Sequence, residues 1–313
     1  MPILFFVVGI LALAVVPLVF PASQFLLTLA LAKGVAALGV AVLLRAGLIS
    51  LGHAMYFAIG AYAAAFLSSR FGMSDMLIII LVATFFSALF GALFGAFLVR
   101  YRAIFFAMLN LAVSMVLYAL VSKLYRFTGG TDGMSMGDLT LFGIDLQQPL
   151  EGKVLFYFTL LFVSLIAWCM HRYLKSPLGI ALSAVHSNEI RLEYIGTSAW
   201  FTLLISYVIS AAVAGMGGAL AAMSIGHVLP EYAFWTESGQ LVLTAVLGGI
   251  GSVAGPIVGS VFLEAVHHFA LVYAEGFWNI IIGSTLIAVI VFFPNGIYGI
   301  VSRKFPKYKK EVK

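Results

Sequence analysis

The chain has 313 residues, of which 63% are hydrophobic and 9% charged, and its mean hydropathy is +1.12. A soluble domain carries about 25% charged residues, and ten membrane helices of about 20 residues each would consume about two thirds of this chain, so a water-soluble enzyme is excluded and no room is left for a catalytic domain. Cys169 is the only cysteine, which rules out an internal disulfide, and the net charge of +5 has a simpler reading than nucleic acid, given below.

Apolar runs predict spans over about 3–20, 25–44, 47–68, 76–99, 103–122, 153–171, 201–223 and 276–293. The first lacks the positive leading segment of a secretory signal and is read as a span. The stretch 239–272 is too long for one helix and divides near Gly251-Ser252 into a short segment and a full span. The total is ten. The expected fold is therefore an all-α integral membrane protein, a single domain over 1–313, of about ten transmembrane helices in two five-helix halves.

The positive-inside rule orients these spans. With the N-terminus cytoplasmic, the inner side receives Arg45, Arg100, Arg102, Arg172, Lys175 and Arg191, and also the basic tail over 303–313 from Arg303 to Lys313. The outer side keeps Arg70, Lys123, Arg126 and Lys153 against Asp75, Asp132, Asp138, Asp145, Glu151, Glu231, Glu237 and Glu275. Ten spans put the tail inside, where it meets anionic membrane lipid; nine would put it outside.

Two soluble stretches stand out. The outer loop over 123–152 is too long to be structureless and is expected to hold a short helix or a packed lid. In the inner loop over 172–200, Ser176-Pro177 is a helix start, with Ser as cap and Pro at the first helical position. A helix from 177 to about 186 follows. Asn188 can cap a second, carrying Glu189, Arg191 and Glu193 and ending near Gly196. Glu189 and Glu193 lie four apart, a mildly destabilising like-charge pair that a basic groove on another protein would relieve.

Among the 31 glycines two clusters stand out. One is Gly47-Leu48-Ile49-Ser50-Leu51-Gly52-His53, followed by Gly60. The other is Gly248-Gly249-Ile250-Gly251-Ser252, followed by Gly255-Pro256 and Gly259. Glycine lets helices approach closely and permits breaks at membrane depth, and broken segments in both halves of a chain point to a transport path. Lys33 and Glu264 fall inside predicted spans, where charge is costly and functional by default.

Several motifs are set aside. Gly133-Met134-Ser135-Met136-Gly137 has the letters of a nucleophile elbow, but the elbow needs a strand-to-helix turn and a base in reach. Glu264-Ala265-Val266-His267 is a single copy of a spacing that di-iron bundles use twice. No phosphate-binding loop of the G-x-x-x-x-G-K-[ST] type occurs, so no cofactor is expected in this chain and any ATP must be hydrolysed elsewhere.

Leu48-Ile49-Ser50-Leu51-Gly52-His53-Ala54 with Gly60-Ala61-Tyr62, Thr128-Gly129-Gly130-Thr131-Asp132-Gly133, and Ser176-Pro177-Leu178-Gly179 with Asn188-Glu189, Glu193 and Gly196 stand in one order. Leu247 to Pro256 and Phe293-Pro294-Asn295-Gly296 complete it. In that order and spacing they resemble the LivM-type permease subunits of branched-chain amino acid ABC importers, over about residues 30 to 300. The resemblance implies a type II importer-like fold in a bacterial inner membrane. It implies pairing with a homologous LivH-type permease, two cytoplasmic ATP-binding subunits and a periplasmic solute-binding protein. It also implies that Ser176, Pro177, Gly179, Glu189, Arg191, Glu193 and Gly196 belong to a helix that docks on the ATPase. The chain departs from the family pattern at Val40, Arg45, Arg191-Leu192 and Tyr194. Relatives that carry urea, short amides or aromatic acids stay open for the solute, as does a secondary transporter relying on Lys33 and Glu264.

Overall fold

Hydrocarbon offers backbone amides no partners, so an apolar run crosses it as a helix that pairs them internally. The computed structural model describes residues 2–145, 150–273, 276–292 and 296–299, and helices dominate it. In chain order these are α1 (Pro2–Val19), α2 (Ser23–Leu44), α3 (Ala54–Ser69), α4 (Met76–Leu98), α5 (Ala103–Lys123) and the single turn α6 (Tyr125–Thr128). They continue with α7 (Leu150–Leu174), α8 (Pro177–Tyr194), α9 (Ala199–Ile225), α10 (Trp235–Gly248), α11 (Ala254–Tyr273) and α12 (Trp278–Phe292). Six described helices are long and apolar enough to cross a membrane: α2, α4, α5, the Gly152–Leu174 part of α7, α9 and α11. The basic tail and Phe293-Pro294-Asn295 lie outside the described residues.

Two helices differ from their apolar runs. The run at 47–68 predicts a span, but the helix starts at Ala54, because residues 45–53 form turns and irregular backbone. With 16 residues, α3 is about 24 Å long, and α10, with 14, about 21 Å. Neither alone covers the roughly 30 Å of hydrocarbon. The division expected near Gly251-Ser252 falls between α10 and α11, after Gly248 and before Ala254.

Short side chains decide the packing. α9 runs through the middle of the bundle and packs along α2, α3 and α4. A Cβ on Gly60 of α3 would land on the Gly215 carbonyl of α9, and one on Gly218 would land on the Phe57 carbonyl of α3. On the α2 side, a Cβ on Gly39 would come within 2.6 Å of the Ser210 carbonyl, and one on Gly217 within 2.5 Å of the Ala32 carbonyl. Lipid drives no helices together by the hydrophobic effect, so backbone-to-backbone approach of this kind supplies the dispersion energy instead.

The outer loop is folded, as its length predicts. Thr128 closes α6 by donating to the Leu124 carbonyl (3.0 Å) and also bonds the Val121 carbonyl. Strand β1 (Met134–Ser135) pairs antiparallel with β4 (His227–Val228), which follows α9, while β2 (Thr140–Leu141) pairs with β3 (Ile144–Asp145). Asp75 holds this loop to α4: one carboxylate oxygen accepts from Leu77 N (2.9 Å), the other from Phe142 N (2.8 Å).

Candidate translocation path and coupling loop

At the first glycine cluster the chain leaves α2 and re-enters the bundle as α3. Gly47 adopts φ +75°, a left-handed turn, and a Cβ there would strike the His186 ring of α8. Leu48 turns inward and is buried, whereas Ile49 is exposed. A Cβ on Gly52 would meet the Asn110 carbonyl of α5, so the break is wedged between α5 and α8.

Ser50 and His53 are fully buried in this break and anchor a polar network. Ser210 Oγ of α9 donates to the Gly39 carbonyl (2.6 Å). Its one proton is then spent, so the 2.6 Å contact with His53 Nε2 requires the ring to donate from Nε2. In that tautomer Nδ1 accepts, and Ser50 Oγ donates to it at 2.7 Å. Tyr56 donates to Tyr207 (3.1 Å), Tyr207 to Asn110 Oδ1 (2.5 Å), and Asn110 Nδ2 to the Phe106 carbonyl (2.9 Å). Four helices and the break are thereby tied together, and the first amide of α3, Ala54 N, donates to Ser238 Oγ of α10 (2.8 Å). Asn110, Tyr207, Ser210 and Ser238 carry no motif; the signal available for Asn110 was an amide inside an apolar run.

The second cluster ends α10. Gly249 takes φ +103°, ψ +115°, a conformation open only to glycine at low cost. A Cβ on Gly248 would overlap the Gly255 carbonyl, and one on Gly296 would come within 2.5 Å of Gly249. Gly251 has open space around it, and Ser252 Oγ accepts from Ala254 N (3.2 Å) at the start of α11.

The two intramembrane charges meet: Lys33 Nζ of α2 lies 2.7 Å from Glu264 Oε1 of α11. His267 Nδ1 is 3.9 Å from Glu264 Oε2, and Glu237 of α10 is close enough to act electrostatically on all three. Sequence placed Glu237 among the outer acids and showed His267 only as part of a single Glu-x-x-His spacing; folding adds both to the cluster. Elsewhere in the bundle, an apolar cavity of about 340 Å³ lies between α3, α4 and α5, lined by residues including Ile59, Tyr62, Phe66, Phe90 and Leu117. The buried Tyr62 hydroxyl has no hydrogen-bond partner among the described residues.

The inner loop forms α8. Ser176 Oγ accepts from Gly179 N (3.4 Å), Pro177 occupies the first turn, and Gly179 is too close to the Tyr173 carbonyl for a Cβ. Asn188 breaks α8 with φ −166°, ψ +101°, and its Oδ1 accepts from Arg191 N (2.8 Å). The loop is thus two capped helices, 177–187 and 189–194, as the residue pattern predicts, and Gly196 follows with φ +84°. Leu182, Val185 and Leu192 face inward, while Ile190, Arg191, Glu193, Tyr194 and Ile195 are exposed.

Glu189 is not presented outward with its neighbours. Arg102, between α4 and α5, holds it in a two-pronged ion pair: Nε donates to Oε2 at 2.9 Å and Nη2 to Oε1 at 2.6 Å. These hydrogen bonds hold the Glu189 carboxyl below its ordinary value, against the opposing effect of burial. On the opposite side of the bundle, Ser135 Oγ lies 3.1 Å from His227 Nδ1, and His227 Nε2 is 2.9 Å from the Asp132 carbonyl. A ring nitrogen is therefore within reach of Ser135, but the serine sits in a two-residue strand with no helix behind it, and the contact serves to pin β1 to β4. Among the described residues no group of histidine, cysteine and carboxylate side chains could hold a metal.

The family model for the permease component of branched-chain amino acid transport systems matches residues 23–290. The high-affinity branched-chain amino acid transport system permease proteins LivM of Salmonella typhimurium and Escherichia coli are each 29% identical over 272 residues, covering 80% of this chain and 64% of their own length. The chain thus spans less than two thirds of these relatives. The corresponding protein BraD of Pseudomonas aeruginosa is 30% identical over 126 residues, 40% of this chain and 41% of its own. No solved structure matches significantly. The family match runs from α2 into α12 and takes in both glycine breaks and the inner loop, so this chain belongs to the branched-chain amino acid transport permease family.

Proposed function

We propose that the chain is the membrane-spanning subunit of an ATP-driven, binding-protein-dependent importer, with branched-chain amino acids as its solute class. It would work beside a homologous permease, with two ATP-binding subunits on the cytoplasmic side and a periplasmic solute-binding protein outside. Ten helices, α1–α5, α7 and α9–α12, cross or enter the inner membrane in two halves of five, with both termini cytoplasmic. The loop contacts support this alternation. Arg70 bonds the Arg126 carbonyl and Asp75 bonds Phe142, all on the proposed outer side; Gly47 with His186 and Arg102 with Glu189 meet on the inner side.

The observation that carries the coupling role is the surface of the inner loop. Ile190 is 68% exposed, Tyr194 87% and Ile195 74%, an apolar patch on a short loop, flanked by exposed Arg191 and Glu193. Such a patch on water-facing structure marks an interaction site. Closure of the partner ATPases would push on it and swap which side of the path is open. The β1–β4 pair joins the two outer segments, 123–152 and 224–238, into one face for the binding protein.

Pull-down of the tagged chain from native membranes, read by mass spectrometry, tests the reading. Recovery of a second permease and two ATPase chains is expected; a chain that purifies alone and transports in liposomes under an ion gradient would replace it with a secondary transporter. Glu193→Lys is expected to leave the chain inserted while uncoupling ATP hydrolysis from uptake.

A further inference from the structure

Among the described residues, the half of α8 that carries the exposed patch is connected to the bundle at one polar point. The connection is Arg102, whose guanidinium, besides holding Glu189 with two prongs, donates to the Tyr101 carbonyl (3.1 Å) and bonds the carbonyl of Val99, the residue that caps the C-terminus of α4. One side chain therefore joins the end of α4, the start of α5 and the second helix of the inner loop. A planar guanidinium with two parallel bonds to a carboxylate fixes orientation as well as distance.

The backbone beside it is strained. Ala103, the first residue of α5, has φ +52°, a left-handed conformation that a side chain disfavours and that persists only where surrounding contacts hold it. Arg102 supplies such contacts. The other half of α8 touches the first glycine break through His186 and Gly47, and the two halves are hinged at Asn188. A push on Ile190 and Tyr194 thus reaches the bundle by two routes: through His186 to the break before α3, and through Glu189 and Arg102 to α5. Further along α5, Asn110 belongs to the buried network and abuts Gly52 of that same break.

We propose that Arg102 is a positioning residue for transport, the link that transmits displacement of the inner-loop helix 189–194 to the start of α5. The proposal rests on the reading of that loop as the ATPase docking element, and the test separates the two. The full complex in nanodiscs would be compared before and after trapping with ATP and vanadate, by hydrogen exchange at 189–195 and at 103–109, so no solute is needed. In the parent complex both segments are expected to change exchange by at least twofold. In Arg102→Lys, which keeps the charge and loses the fork, 189–195 should still respond while 103–109 does not. Glu189→Ala, which removes both acceptor oxygens, should do the same and serves if the first variant fails to assemble. A full response of 103–109 in an assembled variant overturns the link, and a silent 189–195 in the parent complex overturns the docking reading itself.

Discussion

Separating Lys33 from Glu264 tests how the bundle tolerates charge. At 2.7 Å the pair attracts by about 6 kcal/mol at an effective dielectric constant of about 20, and by about 1.5 kcal/mol in water. The side chains are 21% and 11% exposed, so the higher figure describes the attraction better, though most of it offsets the desolvation of two ions. Removing one partner leaves the other buried without compensation, a change that costs about 3–5 kcal/mol, whereas removing both is far less costly. Lys33→Met leaves Glu264 with the His267 ring at 3.9 Å as a weaker neighbour, which sets the expectation at the low end, about 3 kcal/mol. Glu264→Gln should cost about the same, and the double variant no more than either single. The interaction energy is then at least about 3 kcal/mol, more than a hundredfold in the folded-to-unfolded ratio. Reversible unfolding of the purified chain in mixed micelles with rising SDS, run as a double-mutant cycle, measures it. Losses that add, about 6 kcal/mol for the double variant, would show that the two charges are stabilised separately and refute the argument.

Gly60→Ala places a Cβ on the Gly215 carbonyl, and two backbones cannot yield as a side chain would. A loss of about 2–3 kcal/mol is expected from overpacking in the same assay, and an unchanged midpoint would mean that α3 and α9 do not touch there. Ser210→Ala removes the donor to Gly39 and the acceptor for His53, both buried, and should cost about 1–3 kcal/mol; Ser210→Thr keeps the hydroxyl and should recover part of it. Glu189 has a depressed carboxyl value, so its pairing with Arg102 contributes fully above the unfolded-state value of 4.5 and is lost as the pH falls through the folded one. Hydrogen exchange at 189–195, corrected for intrinsic rates, should stay level from pH 7 to about 4.5 and rise below it, and Arg102→Met should abolish that acid step. A step of equal size in the variant would assign it to another group.

Much of this architecture is legible without coordinates because its causes are local. An apolar run must be helical in hydrocarbon whatever surrounds it, and Ser176-Pro177 and Asn188 cap their helices through bonds to amides three residues away. Gly249 ends α10 because few residues adopt its backbone angles, and the division of 239–272 follows from length alone. Such features depend on neighbours in sequence, so sequence contains them.

Tertiary structure decided the rest because partners far apart in the chain settle it. Nothing within Gly47–His53 says that the helix begins only at Ala54; the carbonyl of Asn110 and the ring of His186 determine where that chain can run. Lys33 and Glu264 were each evident as costly charges, but only packing of α2 against α11 makes them a pair and adds His267 and Glu237. Glu189 and Glu193 look equivalent four residues apart, yet Arg102, 87 residues upstream, takes one and leaves the other exposed. Local backbone chemistry determines which segments are helices and where they end, whereas the fate of a polar group inside the bundle depends on which distant side chain arrives beside it.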